Sequence, residues 1–196
     1  MGGSLFAISE LFIVVAATWC TYKLSQRAMW LAAIGSTVLG AIAALGAYRY
    51  GLNQVTELAA LHKSASQIGG AIAIILIGGQ FLLLFPWVKK YTFRKASVAL
   101  TIIGSILAIV TFPVVAVAVV LIWILVPILV TACGQYERLT TRFHLTGLIS
   151  IFLLNFLIVR QSPVLGPIYS WHLYHTLIAM WLIALVYVLN RCMQRV

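Results

Sequence analysis

Two histidines stand three residues apart in Tyr169-Ser170-Trp171-His172-Leu173-Tyr174-His175-Thr176, at the opening of a strongly apolar run. Residues three apart lie on one face of a helix, so His172 and His175 can share a ligand. Two charged imidazoles on one turn would repel, whereas neutral ones held by a metal, a cofactor or hydrogen bonds would not. A third histidine, His62, leads into another apolar run, and Glu10 lies inside the first one. Three imidazoles plus water make an adequate catalytic zinc tetrahedron, which would bring the water's pKa towards neutrality. The chain has no Asp, which leaves Glu10 as the carboxylate within an apolar segment that can act as general base. The candidate catalytic residues are therefore Glu10 and Tyr50, and the candidate metal ligands are His62, His172 and His175.

The elements that must position these groups are membrane helices. Of the 196 residues 63% are hydrophobic and 8% charged, far from the quarter charged residues of a soluble domain. Thirteen Lys and Arg face three acids, Glu10, Glu57 and Glu137. In an apolar chain that excess points to loops on anionic lipid headgroups and not to nucleic acid. Met1-Gly2-Gly3-Ser4 lacks a basic n-region, so the first apolar segment is expected to stay as a span.

Seven spans are predicted in one domain, residues 1–196. They run from Leu5 to Leu24, Ala28 to Tyr48, Glu57 or Ile68 to Pro86-Trp87, Ala96 to Thr111, Val114 to Cys133, Leu139 to Val159, and Ile168 to Leu189. The stretch Ala96–Thr131 is too long for one crossing of about 20 residues, and Phe112-Pro113 is the plausible break. The second span is rich in Gly and Ala, which allows close helix approach. The fold class is all-α, a polytopic bundle.

Charge orients it. Alternating sides puts Lys23, Arg27, Lys89, Lys90, Arg94, Lys95, Arg138, Arg142, Arg191 and Arg195 together, and leaves Arg49, Lys63 and Arg160 opposite. Ten against three predicts an N-out, C-in protein, whereas fusing Ala96–Cys133 into one span gives seven against six and no bias. Cys20, Cys133 and Cys192 then fall at the cytoplasmic ends, where thiols stay reduced.

This topology gathers Glu10, Tyr50, His62, Asn155, Arg160, Gln161, His172 and His175 at the outer end and sends His144 to the other. At about 1.5 Å per residue, His62 is roughly 37 Å from Trp87 and His175 roughly 21 Å from Leu189. A tilt, or an unwound start to the third helix, is needed to bring the two level. Buried ionisable groups in a bilayer point to function. The plainer alternatives are a Glu10 pair with Arg49 or Arg160, a His62 that touches headgroups, Asn155 and Gln67 as interhelical links, and Trp171 and Tyr174 as an aromatic belt.

The placement resembles the seven-helix metal-dependent hydrolases that include alkaline ceramidases and adiponectin-receptor-like proteins. Those carry zinc between the end of helix 2 and the starts of helices 3 and 7, bound by His-x-x-x-His on helix 7 and by Ser-x-x-x-His on helix 2. Here His172-Leu173-Tyr174-His175 is one residue shorter, Gly46-Ala47-Tyr48-Arg49-Tyr50 keeps the spacing without the Ser or the His, and His62 stands near the family's helix 3 Asp. The resemblance implies a zinc-dependent hydrolase acting on a lipid amide or ester.

Two other classes remain open. Haem b could be held between His62 and His172 or His175, with Gly69 and Gly70 making room for the ring. Alternatively the chain is a non-enzymatic lipid-binding or accessory subunit, paired with a membrane protein or with itself. Short loops and the lack of a targeting segment point to a bacterial inner membrane.

Overall fold

The computed structural model describes residues 3–85, 94–134, 138–160 and 162–194. Pro86, Trp87, the basic residues Lys89 and Lys90, Glu137, Gln161 and Arg195 lie outside them. Every regular element among the described residues is helical. In hydrocarbon a helix satisfies its own backbone, which is why apolar runs of this length fold this way.

Helices α1 (Gly3–Ser25) and α2 (Trp30–Gly51) form a hairpin whose turn holds Ala28 at a φ of 55°. Helix α3 (Ala59–Leu84) contains one π turn, Ala65–Gly69. Helix α4 (Arg94–Thr111) meets α5 (Ala116–Ala132) through Phe112 and a 3₁₀ turn, Pro113–Val115. Proline forces the residue before it out of the helical region, and Phe112 accordingly has φ −129° and ψ 77°. The expected break is where the chain turns. Helix α6 (Leu139–Val159) ends in a second π turn from Asn155, and α7 (Gly166–Met193) starts at a glycine with φ 67°.

Six of these helices are long and apolar enough to cross a membrane, while the apolar part of α4, Lys95–Thr111, is shorter. Six helices close a ring. Helix α1 packs on α2 and α7, α2 on α3, α3 on α5, α5 on α6, and α6 on α7. Helix α4 stands outside, mainly against α3. Without a hydrophobic drive between helices in lipid, close fit has to hold the ring together. A methyl added at Gly35 would sit 2.7 Å from the Ala73 carbonyl oxygen, and one at Gly40 would sit 2.9 Å from Ala17 Cβ. Larger side chains fill the interior, with Phe81, Ile75, Leu182, Leu185 and Leu189 fully buried.

Candidate functional site

Glu10 is the centre of the polar end. It lies on α1, only 2% exposed. Its Oε1 is 3.3 Å from His175 Nε2 on α7 and 3.7 Å from His62 Nε2 on α3. Three helices thus bring one carboxylate and two imidazoles together. Neither contact has hydrogen-bond geometry, and Glu10 Oε1 is buried without a hydrogen-bond partner.

The imidazoles are fixed from behind. His175 Nδ1 is 2.7 Å from the Trp171 carbonyl oxygen one turn earlier. A carbonyl only accepts, so Nδ1 carries the proton, and a neutral His175 turns an Nε2 lone pair towards Glu10. Two acceptors then face each other, which requires a proton or another cation between them. His62 Nδ1 is 3.4 Å from Arg49 Nη1, a long contact, whereas Arg49 donates firmly to the Val55 carbonyl at 2.7 and 2.9 Å.

Gly46 makes this approach feasible. A Cβ there would fall 2.5 Å from Glu10 Oε1 and 2.9 Å from His62 Nε2. The family resemblance set Gly46 at the Ser position of the helix 2 motif, but nothing in the sequence showed that its missing side chain is what admits Glu10 and His62. The helix start near His62 is not unwound. Its first turn is regular, and the π turn just after it, which fits an extra residue into the coil, reorients that turn so that His62 is buried.

His172 is not brought to the cluster. Three residues on a helix are about 60° apart around its axis, and the His172 ring instead stacks on Phe6 with centroids 5.4 Å apart. Of the three expected histidines, His62 and His175 meet Glu10, whereas His172 meets Phe6. Tyr50 sits in the wall, its ring 6.2 Å from that of His62 and its hydroxyl accepting from Arg49 at 3.3 Å. The ion-pair partners of Glu10 among the described residues are the histidines, not Arg49 or Arg160. Arg160 lies over the Phe156 and Tyr174 rings. Asn155 Nδ2 donates to the Tyr174 carbonyl at 2.8 Å and so ties α6 to α7, as an interhelical link should. Gln67 is exposed. His144 packs near Tyr187, towards the far end of α7.

Among the described residues no group of three or more His, Cys, Asp or Glu side chains is placed so that it could hold a metal ion. The donor types, one carboxylate and two imidazoles, are nonetheless those that zinc takes. Donors about 2.0–2.2 Å from a tetrahedral ion stand roughly 3.3–3.5 Å apart; the Glu10–His175 separation of 3.3 Å meets this, and the His62 contact at 3.7 Å is slightly longer. A backbone carbonyl behind a histidine is also the usual support of a metal-binding imidazole. The arrangement does not support the haem alternative. Both Nε2 atoms approach one oxygen, which leaves no room between them for a porphyrin, and a methyl at Gly69 would meet Ile42 Cδ1 at 2.9 Å.

No protein-family model matches the sequence, and neither a curated protein nor a solved structure does.

Proposed function

We propose that this chain is a seven-span, N-out membrane protein that hydrolyses a lipid amide or ester at a metal centre formed by Glu10, His62 and His175. One observation carries this reading: a buried carboxylate oxygen with no hydrogen-bond partner faces the Nε2 atoms of two histidines from two other helices. A zinc-type ion supplies Lewis acidity towards a carbonyl and a water. Its donors would be Glu10 Oε1 and the two Nε2 atoms, which moves Glu10 from general base to ligand. The Trp171 carbonyl keeps the His175 proton on Nδ1 and its Nε2 free to bind. Trp171 packs edge to face with Phe6 and Tyr50, which are tilted against each other, and the three rings shield the centre. The substrate class follows from the surroundings, since a site among apolar spans meets acyl chains before it meets solutes.

The ten-to-three charge count supports the orientation, and a helix of 18 residues from Arg94 to Thr111 supports a crossing by α4. A bacterial inner membrane is the setting that suits this topology.

The test is elemental analysis of the purified protein, loaded with zinc and washed. About one ion per chain is expected, lost in Glu10→Gln and His175→Ala. A folded wild type that holds no metal ends this reading.

One contact favours a second reading. Arg49 donating to His62 Nδ1 leaves the His62 proton on Nε2, directed at Glu10. The centre is then a proton-holding polar lock in an accessory, lipid-binding subunit. Glu10→Gln would lower stability there with no metal to lose.

A further inference from the structure

Trp171 belongs to the centre more closely than a belt tryptophan would. Its ring stacks over the His175 imidazole with centroids 4.4 Å apart and planes at 30°. Phe6 and Tyr50 close on it edge to face, at 5.5 and 5.6 Å. Its carbonyl accepts from His175 Nδ1. Its indole Nε1, however, is buried and has no hydrogen-bond partner. A buried indole N–H normally finds an acceptor, and an unpaired one calls for an explanation. The unused donor belongs to the ring stacked on His175, and the unused acceptor, Glu10 Oε1, faces the Nε2 of that same imidazole. A ligand that offers an oxygen to the indole completes the donor's bonding.

We propose that the Trp171 indole N–H donates to the carbonyl oxygen of the lipid ester or amide bound at the Glu10–His175 centre. This rests on the hydrolytic reading above and adds to it the residue that orients the reacting carbonyl. The aromatic packing holds the donor in place before the ligand arrives, so little ordering is needed on binding.

The experiment uses zinc-loaded full-length protein in detergent, with tryptophan labelled at the indole nitrogen. Dodecanohydroxamic acid is the carbonyl-bearing probe, and dodecanol is the control of equal chain length. The resonance missing from Trp171→Phe identifies Trp171; if that variant does not fold, replacing the other five tryptophans one at a time identifies it by elimination. The Trp171 indole proton should move downfield with the hydroxamate and stay with the alcohol. Trp171→Phe should bind the hydroxamate about tenfold more weakly, at unchanged metal content and melting temperature. An indole proton already shifted upfield, lying over the Phe6 or Tyr50 ring and unmoved by a bound hydroxamate, would overturn the proposal while the metal reading stood. Wild type that takes up no zinc and binds no hydroxamate would instead remove both.

Discussion

At the scale of single residues, Gly46 and His175 decide whether the centre exists. Gly46→Ala puts a methyl 2.5 Å from Glu10 Oε1, so α2 must move away or the carboxylate must turn. We expect a loss of about 1–3 kcal/mol in stability, together with loss of metal uptake by the proposed centre. Gly51→Ala is the control, since its methyl meets only Ala7 Cβ at 3.8 Å. Equal melting temperatures for the two variants would contradict the close approach of α1, α2 and α3. His172→Ala and His175→Ala separate the two histidines. The first should cost about 0.5–1.5 kcal/mol, the value of a ring stack, and leave metal uptake by the proposed centre unchanged. The second should abolish metal uptake by the proposed centre. The opposite outcome would restore the three-histidine set. Glu10, His62 and His175 were legible from chemistry and topology together. His172 was misleading, because three residues of spacing mark a shared face but not which neighbour each ring meets.

At the scale of helices, the sequence predicts all seven segments and the break at Phe112-Pro113, because apolar length and proline act locally. Two things were not legible. The π turns at Ala65–Gly69 and Asn155–Val159 arise from how neighbours pack and have no signature in composition. The position of α4 outside the ring likewise depends on which faces fit, and hydropathy has no term for that. A hydrogen bond ties α4 to the ring, from Trp123 Nε1 on α5 to Ser105 Oγ at 2.9 Å. A double-mutant cycle of Trp123→Phe with Ser105→Ala should give a coupling of about 0.5–1.5 kcal/mol in unfolding free energy. A coupling near zero would mean that α4 is held by van der Waals contact alone.

At the scale of the molecule, the proposed N-out orientation rests on charge and can be read by labelling. In a variant lacking Cys20 and Cys192, which are both buried, Cys133 is exposed at the end of α5, and Asn53→Cys adds a thiol in the exposed α2–α3 turn. On intact cells a membrane-impermeant maleimide should label the residue 53 thiol and spare Cys133. The reverse pattern would turn the protein over and place the Glu10 centre on the inner side. The closed ring also constrains biosynthesis. Glu10 leaves the ribosome with α1, but its nearest partner, His175, belongs to α7, the segment that closes the ring against α1. A nascent chain therefore carries the carboxylate of α1 before its nearest partner is made, at a cost of about 3 kcal/mol if ionised and in the bilayer. Chains cut short between α3 and α7 would keep the acid with only the longer His62 contact, and so with its burial half compensated.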